Sequence, residues 1–252
     1  MKKLFFGSVA VAALAAGSAM AADLKAAPVY TKAPVMAPAY NWTGCYIGGE
    51  GGYASGRSKH TVTTGALLGD AESTFTMSGG IAGGTLGCNY QTSNIVLGIE
   101  GDLSWTNKSG SASEQAPFNT TRTNLTDEKW LDTVRGRVGF TWDRALLYVT
   151  GGGAFANIGV QVCATVVPIC ASDSANVWGW AIGAGVEWGL WDNWTFKAEY
   201  LHVDFGTTSF LTPPVVIGTQ TFQSRNVPVT DDLFRVGLNY RLGWMGSVMS
   251  KY

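Results

Sequence analysis

The chain is predicted to fold as an all-β protein, an eight-stranded antiparallel up-and-down transmembrane β-barrel. Three observations predict it. Eight segments of alternating polarity, near 44–55, 74–90, 95–105, 129–142, 145–158, 176–189, 194–206 and 231–244, are separated by intervals of 18, 4, 23, 2, 17, 4 and 24 residues. Long and short intervals alternate, as they do in a barrel with tight turns at one end and loops at the other. Each segment carries an apolar parity, and the opposite parity holds glycine, serine, threonine and a few charges. Finally, tryptophans cluster near strand ends: Trp42, Trp142, Trp188, Trp191, Trp194 and Trp244 toward the short turns, and Trp105, Trp130 and Trp178 toward the long intervals. Two such girdles mark the two interfaces of a membrane.

The amino terminus sets the compartment. Lys2 and Lys3 precede an apolar run from Leu4 to about Ala16, and Ala19-Met20-Ala21 has the small-x-small pattern of a signal-peptidase site. Residues 1–21 therefore read as a secretory signal peptide, too short to serve as a membrane anchor. Residues 22–41, with Pro28, Pro34 and Pro38 among alanines, read as an extended Pro/Ala-rich periplasmic linker. Residues 42–252 form the barrel domain.

Composition agrees. Charged residues make up only 14% of the chain, glycines number 33, and there are 10 tryptophans. No apolar run of about 18 residues follows the signal, so no spanning helix is expected. A net charge of −1 offers no basic field for nucleic acid.

In the first strand Cys45, Ile47, Gly49, Gly51 and Tyr53 share the lipid-facing parity, and Glu50 points inward. The second strand puts Leu86, Cys88 and Tyr90 outward. In the third, Ile95, Leu97, Ile99, Leu103 and Trp105 oppose Glu100 and Asp102. In the fourth, Val134, Val138, Phe140 and Trp142 oppose Arg135 and Arg137. The fifth, 145–158, follows a two-residue turn. In the sixth, Ile182, Ala184, Val186 and Trp188 oppose Glu187; in the seventh, Trp194, Phe196, Ala198 and Tyr200 oppose Lys197 and Glu199. In the eighth, Phe234, Val236, Leu238, Tyr240 and Leu242 oppose Arg235, Asn239 and Arg241.

The inward parity thus collects Glu50, Glu100, Asp102, Glu187 and Glu199 against Arg135, Arg137, Lys197, Arg235 and Arg241. Such balance suits a closed interior, where an unpaired charge is very costly. A soluble sandwich would instead show its charged face to water and carry more of it. An eight-stranded barrel is only wide enough for side chains to fill. Gly48 and Gly52 beside Glu50, and Gly183 and Gly185 before Glu187, make room for long charged groups. The prolines beyond the linker, Pro117, Pro168, Pro213, Pro214 and Pro228, are placed in the long intervals, because proline cannot donate to a ladder.

The strand motifs NWTGCYIGGEGGY, GGTLGCNYQ, YVTGGGAF, WAIGAGVEWGL, NWTFKAEYLHVDFG and FRVGLNYRL together resemble the small OmpA-like outer-membrane barrels of alphaproteobacteria, the outer-membrane immunogenic or porin-family proteins. The resemblance covers nearly the whole mature chain. It implies location in the outer membrane, surface loops, no enzymatic site, and a structural or porin-like role. The partners it implies are outer-membrane lipid, lipopolysaccharide and the barrel assembly machinery. One departure concerns the C-terminal aromatic signal of such barrels: here Trp244 is followed by MGSVMSKY.

Other chemistry is weakly signalled. Gly49 to Ala54 fits G-x-G-x-x-A, but that fingerprint needs a strand, a turn and a helix, and no helix follows. No cofactor is expected, and no His/Cys cluster has zinc spacing. A lipid-modifying enzyme would need a nucleophile beside a base. The histidines are His60, placed in a long interval, and His202, near the outer end of the seventh strand; Ser104 and Ser209 are the candidate nucleophiles. The interfacial, non-catalytic reading of His202 is preferred.

Four cysteines in an exported chain invite disulfides. Cys163 and Cys170 bracket a short stretch of the third long interval and are expected to pair. Cys45 begins the first strand and Cys88 ends the second, on the same face and at the same level, so a cross-strand bridge is expected there too.

Overall fold

A computed structural model describes residues 40–242, except 66, 67, 119 and 192. The signal peptide, most of the linker, Trp244 and the C-terminal extension lie outside the described residues. Eleven strands follow in chain order: β1 (Gly44–Val62), β2 (Ala71–Thr92), β3 (Ile95–Thr106), β4 (Ser109–Ser113), β5 (Arg122–Trp142), β6 (Ala145–Ala164), β7 (Ile169–Gly189), β8 (Trp194–Phe210), β9 (Val215–Ile217), β10 (Gln220–Phe222) and β11 (Arg225–Leu242). Eight of them close a ring in which each pairs antiparallel with the next, and β11 returns to β1. β4 continues the wall above β3, between β2 and β5. The expected eight-stranded up-and-down barrel is thus the observed one.

The outward parity is apolar and exposed around the barrel: Ile47, Leu86, Leu97, Ile99, Val134, Val138, Leu147, Val149, Ile182, Phe196, Val236 and Leu238 all face out. So continuous an apolar surface suits lipid and not water. Tight turns at 93–94 and 143–144 mark the periplasmic end.

The strands are far longer than the alternation predicts. β2 has 22 residues and β5, β6 and β7 have 20 or 21, whereas crossing a bilayer takes about 9–11. The upper half of the barrel therefore projects beyond the outer aromatic girdle, and much of the four long intervals is sheet. His60 and Pro228 lie on strands as a result. Pro228 is tolerated because a bulge at Pro228/Thr230 interrupts the β8–β11 ladder. Trp42 is another correction: it is fully buried at the periplasmic mouth, packed with Val96, Leu146, Tyr148 and Tyr40, and takes no part in a lipid-facing girdle. Tyr40 and Asn41, assigned to the linker, contact the barrel. The Tyr40 ring lies beneath the Arg241 guanidinium, and the Asn41 carbonyl accepts a hydrogen bond from Arg241.

Inside, the contents are layered. Above the periplasmic aromatics comes a charged layer. Over that sits an apolar layer including Ile81, Leu131, Leu201, Val203 and Leu233. At the outer end, residues 211–224 fold inward, and Phe222 and Leu211 pack on Val162 and Ala171 as a lid.

Candidate functional site

The charged layer is the chemically distinctive part of the molecule. Glu50, Glu100, Asp102, Arg135, Arg137, Glu187, Lys197, Glu199 and Arg235 are all buried within the barrel. Each sits on the inward parity of a strand, so pleat and register alone bring them to one level.

Arg135 reaches Glu100 at 2.8 Å, Asp102 at 2.9 Å and Glu199 at 3.0 Å. Arg235 reaches Glu50 and Glu199 at 2.5 Å and Asp102 at 2.8 Å. Lys197 lies 3.1 Å from both Glu50 and Glu100. Arg137 binds Glu187 at 3.0 Å and lies between the rings of Tyr46 and Tyr148, 4.9 and 5.2 Å from their centroids. Its Nε donates to Asn89 Oδ1 at 2.9 Å. Tyr46 donates to Glu100 at 2.5 Å, and Tyr148 to Glu199 at 3.0 Å. Asn89 brings in β2 and Tyr148 brings in β6, so every strand of the ring contributes. Shared carboxylates and planar guanidinium forks allow this density, because each oxygen accepts from more than one donor.

Packing is tight at two glycines of the inward face beside these groups. A Cβ at Gly52 would overlap the Phe234 carbonyl, and one at Gly185 would overlap the Tyr148 hydroxyl. Arg241 is the exception among the predicted members. It is half-buried at the periplasmic mouth, with Tyr40 and Asn41, and stands apart from the central network.

A second buried charged group, in the projecting half, was not anticipated. Lys108 pairs with Glu128 at 2.9 Å and with Asp231. Higher still, Arg225 pairs with Glu72 at 2.8 Å and donates to Asn124 at 2.7 Å. Lys108, Glu72 and Arg225 lie in the intervals read as loops, where no inward parity could be assigned to them.

His60 is buried in this upper region, its Nε2 2.9 Å from Thr126 Oγ1. Burial, reinforced by the positive charge of Arg225, lowers its pKa to about 3. A histidine depressed in the folded state contributes stability above its unfolded pKa of about 6.5, and loses it as pH falls toward 3. Glu72, raised by burial, works in the opposite direction at the acid end. Glu128, raised by burial and by the nearby Asp231, acts in the same direction as Glu72 and does so within this pH range. The expected outcome is therefore comparative: lowering the pH from 7.5 to 5 should shift proteolysis of the projecting half toward faster cleavage by more in the wild-type chain than in His60→Asn. An equal difference in the variant would remove His60 as the cause.

His202 lies at the outer interface. Its Nδ1 is 2.8 Å from Asp232 Oδ1, which also accepts from the Tyr200 hydroxyl at 2.6 Å. The candidate nucleophiles lie elsewhere: Ser104 is buried in the lumen, and the Ser209 hydroxyl donates to Asn226. Among the described residues, no cluster of three or more potential ligands forms a metal site.

Two disulfides are formed. Cys45–Cys88 joins directly paired residues of β1 and β2 on the lipid-facing side. Cys163–Cys170 joins paired residues of β6 and β7 at the top of their hairpin. Alkylation of the unfolded protein without reductant should modify no cysteine, and all four after reduction. Labelling before reduction would break the pairing.

This architecture, a closed antiparallel ring with an apolar outer band and a charged interior, defines an integral outer-membrane β-barrel. The family model for the outer membrane protein beta-barrel domain matches residues 9–241, and the chain belongs to that family. It is 34% identical over 255 residues to the 31 kDa outer-membrane immunogenic protein of Brucella melitensis, covering 96% of this chain and 100% of that one. The 25 kDa outer-membrane immunogenic protein of the same organism is 31% identical over 244 residues, covering 96% and 98%. Among solved structures, the outer membrane protease OmpT from Escherichia coli matches at TM-score 0.50 and 10% identity, covering 82% of this chain and 99% of that one. At that identity the likeness is one of fold alone. The protein is located in the outer membrane, as its relatives are.

Proposed function

We propose that this barrel is a structural and surface-interaction protein of the outer membrane whose lumen is plugged. The observation that carries the reading is the central ion network, to which all eight ring strands contribute. Side chains occupy the cross-section where a channel would have to pass. The Trp42 cluster below and the Phe222 lid above add two further obstructions. The separation of His202 from Ser104 and Ser209 favours a non-enzymatic role. The partners proposed are lipid and lipopolysaccharide along the apolar band, and the assembly machinery during insertion.

Planar-bilayer recording on refolded protein tests the plug. The expected result is a quiet membrane. Steady single-channel openings would overturn the plugged reading and establish a narrow porin-like channel in its place.

A further inference from the structure

The wall of the projecting half has one break. β7 and β8 pair from Gly189↔Thr195 up to Trp180↔Asp204 and then part, although β7 runs on to Ile169 and β8 to Phe210. Above the fork β7 stays paired with β6, and β8 with β11. Among the described residues, no backbone hydrogen bond joins 174–179 to 205–210. The arms meet again at the top, where the Leu211 amide donates to Asp173 Oδ2 at 2.8 Å. The break is therefore a closed window, about six residues tall on each side, or roughly 20 Å.

Its origin lies in the bulge already noted. Thr207 pairs with Pro228 and Asp204 with Thr230, so Phe205 and Gly206 stand opposite the single residue Val229. Gly206 has φ +63°, which a side chain would disfavour, and its amide donates to Asp204 Oδ1 at 2.7 Å. Bulges bend and re-aim a strand. This one stands immediately above the last β7–β8 pair and turns β8 away from its neighbour.

The fork holds a recess of about 540 Å³, whose lining includes Val177, Trp178, Trp180, Phe205 and Thr208. Val177 and Phe205 are buried and form its floor. The lips are polar: Ser174, Asn176, Thr207 and Ser209 are exposed. Trp180 is the last paired β7 residue and Trp178 stands at the foot of the window, so the window rises from the outer aromatic girdle and its upper part faces water. Facing edges present unpaired N–H and C=O groups, which an extended backbone satisfies along its whole length. The charged residues on the two arms, Asp173 and Asp204, are both acidic. In the recess beside Asp173 the one cation, Lys129, is matched by Asp127, so the window's surroundings stay net acidic.

We propose that this window binds an extended polypeptide segment of basic character as an added strand, chiefly along the open edge of β7. The proposal rests on the surface-interaction reading above and names its class of partner. A conducting lumen would overturn that reading and leave the window as it is.

The test is hydrogen–deuterium exchange on the full refolded chain with the peptide acetyl-Lys-Thr-Val-Thr-Lys-Thr-amide and with its alternately N-methylated counterpart, which keeps the charge and loses ladder donors. The unmodified peptide should slow exchange several-fold within 174–179 and 205–210, and the N-methylated peptide should not. Combined Asp173→Asn and Asp204→Asn should weaken the effect several-fold at low salt. Equal protection by both peptides overturns strand addition. So does absence of protection at roughly millimolar peptide, or protection by lipopolysaccharide core oligosaccharide alone, which would make the window a saccharide site.

Discussion

Arg235→Ala is expected to destabilise the folded barrel by about 3–5 kcal/mol, the cost of removing one partner from a buried ion network. Arg235 is fully buried and binds Glu50, Asp102 and Glu199 together. Alanine leaves three carboxylates facing a space without their cation. Lys197 still holds Glu50, and Arg135 still holds Asp102 and Glu199, but each of those cations is already shared. The remaining cations compensate only in part, so the loss is expected within the range for breaking a buried pair. The measurement is a urea titration read by the gel shift between folded and heat-denatured barrel. Arg241→Ala is the control: its half-buried side chain at the mouth bonds the Asn41 carbonyl and lies over the Tyr40 ring, and about 1 kcal/mol or less is expected. Similar midpoints for the two variants would contradict the separation of Arg241 from the network.

The difference between these two arginines shows what the sequence makes legible. Parity places Arg235 and Arg241 on the same face of the same strand, and it is right about both. Depth along the barrel axis is what parity lacks: six residues lower, the inward position opens on the mouth and not on the network. Trp42 illustrates the same gap. Its place at the periplasmic end follows from the sequence, but whether it turns to lipid or into the mouth depends on the room left by Val96, Leu146 and Tyr148.

The projecting half was hidden for a different reason. Below the girdle one face meets lipid, so apolar and polar residues alternate visibly. Above it both faces carry polar groups. On β1, Arg57 and Lys59 point to water while Ser58 and His60 point inward. On β1 hydrophobic periodicity vanishes there although the strand continues, while on β6 the apolar residues Ile158, Val160 and Val162 turn inward. The second ion group and the β7–β8 window share that blind spot. Gly206 and Pro228 were visible as breakers, but only the register shows that they stand at one bulge.

Val138→Arg is expected to cost about 2–4 kcal/mol, the penalty for arginine on the lipid face at the bilayer midplane, and to reduce the yield of folded barrel sharply. Val138 is exposed to lipid and pairs with Leu97 on one side and Val149 on the other, both exposed and apolar. The preceding residue makes the argument a direct comparison. Arg137 sits at almost the same depth on the opposite face, and the fold accepts it. There it binds Glu187 and Asn89 and lies between two tyrosine rings. The same guanidinium one residue later would meet only hydrocarbon, where no group can take its hydrogen bonds. The cost is thus set by the face and not by the residue type. The exchanged variant, Arg137→Val with Val138→Arg, should be worse than either single change, since it leaves Glu187 without its cation and also places a cation in lipid. Outer-membrane fractions assayed by gel shift provide the measurement. Normal yield from Val138→Arg would reverse the assignment of faces around the barrel, because register ties every neighbouring strand to that of β5.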